Sequence, residues 1–245
     1  MKIPEGSRVP DVTFRTRSDG DWADVSSAEL FDGKTVVVFS LPGAFTPTCS
    51  STHLPRYDEL APALAERGVD QVLCVSVNDA FVMDAWAREQ KVRHVRMIPD
   101  GNAEFTDALG MLVDKRDLGF GNRSWRYSML VVDGTVTKAF VEPDKPGDPF
   151  EVSDADTMLA HLGGSATGAR FATVFSRPGC PHCERARTLL DDAGIDYEEI
   201  VLGHDVTTRS LAAVTGRATV PQVYIDGAHI GGADELTEHL SRDAA

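Results

Sequence analysis

The chain has 245 residues, 42% hydrophobic and 25% charged, an ordinary composition for a folded protein of one large or two small domains that excludes wholesale disorder. Its 24 Lys and Arg against 38 Asp and Glu leave a net charge of −14, so no basic field exists with which to bind nucleic acid or an anionic membrane. No apolar run approaches the ~20 residues of a membrane span, and the opening MKIPEGSRVPD lacks the apolar core of a secretory signal. The four cysteines, Cys49, Cys74, Cys180 and Cys183, are too few for a disulfide-stapled secreted scaffold. Reduced thiols in a cytoplasmic protein are the expectation.

In chain order, residues 34–41 (KTVVVFSL) read as a strand buried on both faces. Thr46 to about Arg67 has helical spacing and stops at Gly68. Residues 71–77 (QVLCVSV) form a second buried strand, 79–90 a helix and 95–99 a strand edge. Residues 127–132 and 135–141 flank Asp133-Gly134, a strong hairpin signal. Residues 142–149 hold three prolines and read as loop, and 153–162 as a short capped helix. The small, uncharged run Gly163 to Gly168 predicts a linker, with a domain boundary near 165. The pattern then restarts with strand 171–176, a turn, a helix from Pro181 to about Ala193, strand 196–202, helix 206–215, strands 220–225 and 229–230 around Asp226-Gly227, and a last helix from Ala233. The fold class expected is α/β.

Cys49 follows the first buried strand and opens a helix. Unpaired N–H groups and the positive end of the helix dipole favour thiolate there, and thiolate is the nucleophile. A small buried hydrophobe is the competing reading. Thr46 can present a hydroxyl beside the sulfur, and Pro42 and Pro47 stiffen the loop. The run Pro42-x-x-x-Thr46-x-x-Cys49, within PGAFTPTCSSTHLP, resembles the active-site signature of the type-five peroxiredoxins, as do IPEGSRVPDVTF and VLCVSVNDAFVM. The resemblance covers residues 1–162. It implies that Cys49 attacks peroxide and becomes a sulfenic acid. It further implies that Thr46 hydrogen-bonds the peroxide, that Pro42 shields the pocket, and that Arg126, within WRYSM, stabilises thiolate and peroxide oxygens. Arg123 competes with Arg126 for that role. His53 has no family role and is expected to pack the helix, and Cys74 is expected in the core. With no other thiol before the linker, this domain should need an external thiol.

Cys180-Pro181-His182-Cys183 follows a strand and starts a helix, the context of a redox C-x-x-C. Zinc would need two further ligands at suitable spacing, and the seven His are scattered. No metal, flavin or nucleotide is expected. FSRPGCPHC, Thr219-Val220-Pro221 and Gly231-Gly232-Ala233-Asp234 resemble a glutaredoxin over residues 168–243. The resemblance implies a second, smaller thioredoxin-like domain with Cys180 as nucleophile, Cys183 as a dispensable second thiol and Pro221 in cis. It places the cysteinyl part of glutathione on Val220, beside Thr219. The γ-glutamyl end falls on Gly232, Ala233 and Asp234, and the glycyl carboxylate on Arg177 and Arg217. Arg177 stands where many relatives carry lysine and His182 where many carry tyrosine. Solvated surface charges and an ordinary Gly-Gly turn are the competing readings.

Together these readings resemble the bacterial peroxiredoxin–glutaredoxin hybrids: residues 1–162, a linker at 163–169, and residues 170–245. The function implied is a glutathione-dependent peroxidase for hydrogen peroxide and alkyl hydroperoxides, with glutathione as co-substrate and glutathione reductase acting indirectly. A homo-oligomer, dimer or tetramer, is implied as well. A redox sensor or deglutathionylase and an oligomeric scaffold remain as alternatives.

Overall fold

The computed structural model describes residues 2–18, 20–165 and 170–243. The chain divides into two compact units, Met1–Ala166 and Thr167–Ala245. The later part of the expected linker, residues 166–169, lies outside the described residues.

The first unit begins with a hairpin, β1 (Thr13–Ser18) and β2 (Asp21–Ser26), and a short helix α1 (Ser27–Phe31). Next come β3 (Thr35–Ser40), α2 (Leu54–Ala65), β4 (Gln71–Ser76), α3 (Ala80–Glu89) and β5 (Val95–Pro99). A small excursion follows: α4 (Glu104–Ala108), β6 (Leu112–Asp114) and β7 (Asn122–Ser124). The chain returns through β8 (Tyr127–Val132), β9 (Thr135–Val141) and α5 (Ala155–His161). The sheet order is β5-β4-β3-β8-β9, with β3, β4 and β5 parallel and β8 and β9 antiparallel. The β-branched runs at β3 and β4 are central because both of their faces are covered. One face packs on Phe14, Leu30, Phe31 and Phe105. On the other, Phe39 stacks on Tyr57 of α2 at 4.2 Å between ring centroids. The edge at β9 is covered by the N-terminal segment, where Val136 N–H donates to the Ser7 carbonyl at 2.8 Å.

The hairpin at Asp133-Gly134 forms as expected, and both residues adopt positive φ, 46° and 70°. The helix expected from Thr46 departs from the simple 3.6 repeat. Residues 49–53 form a π-turn, in which Leu54 N–H reaches the Cys49 carbonyl, before α2 begins. The helix expected at 153–162 begins at Ala155, because Asp154 caps it by accepting from Thr157 N–H.

The second unit contains β10 (Phe171–Ser176), α6 (Pro181–Asp192), β11 (Asp196–Val201), α7 (Thr208–Thr215), β12 (Gln222–Ile225), β13 (Ala228–Gly231) and α8 (Ala233–Asp243). The sheet order β11-β10-β12-β13 sits over a separate core of Val174, Ala186, Leu190, Val223 and Leu236. Strand β12 starts two residues later than expected, after the cis Val220–Pro221 peptide. Pro221 has no N–H to give to a ladder. Helix α7 likewise starts at Thr208, capped by Thr207.

Leu60 and Leu190 are each fully buried, one in each unit. Leu60→Ala and Leu190→Ala should each cost roughly 2–5 kcal/mol. Calorimetry should show two transitions, with each substitution lowering mainly its own.

Candidate active site

Pro42 and Gly43, both buried, carry the chain out of β3, and Phe45 turns it with φ of 64°. Helical structure begins at Pro47, where the missing N–H costs nothing. Cys49 is therefore in the first turn, and it is fully buried. Thr46 Oγ1 donates to the Gly43 carbonyl at 2.8 Å, which leaves the hydroxyl oxygen free to accept. Asn78 braces the loop through its Oδ1, which accepts from Ala44 N–H at 3.0 Å.

Arg126 arrives from the residue before β8 and is 1% exposed. Its Nη2 lies 3.6 Å from Cys49 Sγ. The same nitrogen donates to both carboxylate oxygens of Asp148, at 2.7 and 2.5 Å. Its Nη1 donates to His53 Nδ1 at 3.0 Å. The Phe150 ring lies under the guanidinium at 5.3 Å. Burial alone would lower the Arg126 pKa, but the Asp148 hydrogen bond and then the Cys49 charge turn the net shift upward. The guanidinium thus stays charged. Arg123 borders the same loop: its Nε is 3.7 Å from the position a Gly43 Cβ would take, and its Nη1 donates to the Asn122 carbonyl at 3.1 Å rather than to the sulfur.

His53 packs as expected, between Phe39 and Phe150 at 4.9 Å from each. It also does something sequence reasoning missed. Arginine can only donate and a carbonyl can only accept, so His53 Nδ1 accepts a hydrogen bond from Arg126 Nη1–H and its Nε2–H donates to the Ser153 carbonyl at 3.2 Å. Burial first and the Arg126 charge second push its pKa down to about 3, so it is neutral. With both nitrogens used, it has no lone pair left to act as a base. Ser153 is in turn fixed by Glu142, whose buried carboxylate accepts from the N–H groups of Glu151, Val152 and Ser153 at 2.8–2.9 Å. Cys74, on β4, is a core residue: burial, and then the neighbouring Cys49, push its thiol well above the ordinary value.

In the second unit Cys180 caps α6, with Cys183 N–H pointing at its Sγ at 3.3 Å. The two cysteines are joined as a disulfide, with Cα atoms 5.3 Å apart. Arg177 and Thr219 are exposed, while Pro221 and Ala233 are buried. Three expected ligand residues are already paired within the chain. Arg217 Nη1 bonds Glu235 at 3.2 Å, and Glu235 also accepts from Gly232 N–H at 2.9 Å. Asp234 pairs with Arg185. Among the described residues no group of three or more His, Cys, Asp or Glu is arranged to hold a metal ion, and no helix is long and apolar enough to cross a membrane.

Residues 4–159 match the Redoxin family and residues 172–230 the Glutaredoxin family. A hybrid peroxiredoxin of Haemophilus influenzae is 59% identical over 241 residues, which is 98% of this chain and 100% of that protein. The chain belongs to the hybrid peroxiredoxins. A Synechocystis peroxiredoxin is 54% identical over 171 residues, 64% of this chain and 90% of its own length. The reduced Prx3 of Vibrio vulnificus, crystallised with hydrogen peroxide, superposes with a TM-score of 0.62 and is 46% identical, covering 66% of this chain and 99% of that one. Both units are therefore thioredoxin-like α/β domains, and the hybrid peroxiredoxin is a peroxidase.

Two parts of this peroxidase's site gave no sequence signal. Asp148 sits in a segment legible only as a proline-rich loop, and the His53 contact depends on a tautomer. His53 also carries a stability consequence. Its folded pKa lies below its unfolded value, so its contribution is present above about pH 6.5 and is lost as pH falls toward 3. Between pH 6.5 and 5 this amounts to roughly 1.4 kcal/mol per pH unit. Thermal melts across that window should show a shallower pH dependence in His53→Gln than in the wild type.

Proposed function

We propose that the protein is a glutathione-dependent thiol peroxidase acting on hydrogen peroxide and alkyl hydroperoxides. The observation that carries this reading is the Cys49 sulfur in a first helical turn, 3.6 Å from a buried, charged Arg126, in a chain that also holds a glutaredoxin domain. Cys49 thiolate attacks one peroxide oxygen and the O–O bond breaks. Cys49 becomes a sulfenic acid, and the departing oxygen leaves as water or alcohol once protonated. Thr46 Oγ1 accepts from the peroxide hydroxyl, Pro42 keeps bulk water out, and Arg126 takes up the charge that builds on the oxygens.

A first glutathione thiolate then displaces the sulfenic hydroxyl as water and leaves a mixed disulfide on Cys49. Cys180 thiolate attacks the glutathione sulfur and frees Cys49 as thiolate. A second glutathione attacks the Cys180 mixed disulfide, releasing oxidised glutathione and Cys180 thiolate. Cys183 is a dispensable partner that drains Cys180 into the internal disulfide. Glutathione lies along Thr219, Val220 and Pro221. Its γ-glutamyl end is at Gly232, Ala233 and Asp234, and its glycyl carboxylate is at Arg177 and Arg217. To bind there it exchanges with the chain's own Glu235 on Arg217 and Gly232.

Residues 1–162 and 170–245 serve as the two catalytic domains and 163–169 as the tether. The tether raises the effective concentration of Cys180 toward the millimolar range. Transfer runs within one chain or between subunits of a homo-oligomer, in the cytoplasm, where glutathione reductase recycles the product.

The test is NADPH oxidation coupled through glutathione reductase, with hydrogen peroxide, glutathione and no thioredoxin. Wild type should turn over. Cys49→Ser and Cys180→Ser should each lose activity, and Cys183→Ser should keep it. Arg126→Ala should lose roughly 100-fold in the peroxide step. Silence from a wild type whose Cys49 still consumes one equivalent of peroxide would contradict the recycling scheme and favour a sensor.

A further inference from the structure

The strap between β9 and α5 packs against the arginine beside Cys49. Its residues 143–150 bring one carboxylate, Asp148, onto the buried guanidinium beside Cys49. Asp148 is 42% exposed, whereas Arg126 is 1% exposed. It is therefore the solvent-facing end of a row running Asp148, Arg126, Cys49. Both of its oxygens rest on Nη2, the nitrogen that also faces Cys49 Sγ. A carboxylate that needed only to pair an arginine would spread over the Nε and Nη2 fork. Here Nε has no partner among the described residues, and two anionic atoms of Asp148 converge on the one nitrogen the sulfur needs.

The other groups facing Arg126 cannot play this part. His53 is neutral, and its Nδ1 occupies Nη1 instead. The carboxylate of Glu142 is consumed by three backbone N–H groups and the Ser153 hydroxyl. Cys74 is a buried thiol kept protonated. Phe150 offers only a ring face. Asp148 is thus the one carboxylate among the described residues that contacts the guanidinium.

We propose that Asp148 is a positioning residue that sets the reactivity of Cys49 through Arg126: its carboxylate fixes Nη2 against the sulfur and, by pairing part of the positive charge, restrains formation of the thiolate. The strap makes the device adjustable. It is tied at Lys145 to Glu151 by an ion pair of 2.8 Å between exposed side chains, and at the Gly147 carbonyl by the half-buried Lys115. When Asp148 leaves Nη2, the full guanidinium charge falls on Cys49. When it sits, the sulfur is held in a less reactive state. The inference rests on the reading of Cys49 as the peroxide-reactive thiol.

The experiment is the pH dependence of Cys49 alkylation by iodoacetamide, read by mass spectrometry of the Cys49 peptide, with single-turnover oxidation by hydrogen peroxide in parallel. Asp148→Asn keeps the shape and an oxygen acceptor but removes the charge. Its profile should move to lower pH by about half a unit, the size expected for a half-exposed charge screened by water. Below the midpoint that is about a threefold faster reaction. Asp148→Ala should show the same displacement with a reduced plateau, since Nη2 loses its anchor. Asp144→Asn, which removes a charge from the same strap away from Arg126, should leave the profile in place. An unmoved or upward-moved Asp148→Asn profile, or an Asp144→Asn profile that moves as far, overturns the proposal. If wild-type Cys49 is alkylated but does not react with peroxide, it is the peroxidase reading that fails.

Discussion

A guanidinium at 1% exposure is the constraint around which the first domain is arranged. Removing such a charge from water costs several kcal/mol unless hydrogen bonds and an opposite charge are supplied. The surrounding structure supplies them one by one. Asp148 gives the countercharge, His53 an uncharged acceptor, Phe150 a ring face, and Cys49 the remaining contact. Each of these partners needs its own support. His53 keeps the right tautomer because Ser153 offers a carbonyl, and Ser153 stays because Glu142 holds its N–H. The path from β9 through the strap to α5 is therefore set by the needs of one side chain. The π-turn at residues 49–53 belongs to the same arrangement: its first and last residues, Cys49 and His53, both meet Arg126.

The contrast between Cys49 and Cys74 shows what the constraint achieves. Both are fully buried on adjoining elements. Burial by itself favours the neutral thiol, and Cys74 shows that outcome. Cys49 differs in having a helix N-terminus behind it and Arg126 beside it. The second domain repeats half of the device. Cys180 also stands where a strand turns into a helix, with a backbone N–H on its sulfur, but among the described residues no buried arginine contacts it. Its neighbour Cys183, one turn on, gives it a partner for disulfide formation that Cys49 lacks. The thiol proposed to meet peroxide and the thiol proposed to exchange disulfides thus share one backbone solution and differ in what surrounds the sulfur.

The sequence made the central strands legible because β3, β4 and β10 are apolar on both faces, and the Asp-Gly turns because their geometry demands those residues. Local context and family resemblance singled out Cys49 and Cys180, and the structure places each where a strand turns into a helix. The hairpin β1–β2 went unread because its strands are mostly polar and, apart from Phe14, exposed or only half-buried. The excursion α4, β6 and β7 went unread because three- and five-residue elements carry no period. The π-turn adds one residue to one turn, which helical spacing over five residues does not resolve. Asp148 lies 22 residues from Arg126, in a loop without pattern, and no local signal joins them. Pairing of Arg217 with Glu235 and of Asp234 with Arg185 was equally invisible, because composition shows charges but not partners.

The most direct test of the account is to treat the Cys180→Ser protein with hydrogen peroxide and glutathione and locate bound glutathione by mass spectrometry. The account predicts that glutathione accumulates on Cys49 in this variant and is cleared from Cys49 in the wild type. A Cys49 that never carries glutathione, or that keeps as much in the wild type as in the variant, would contradict the transfer from one domain to the other.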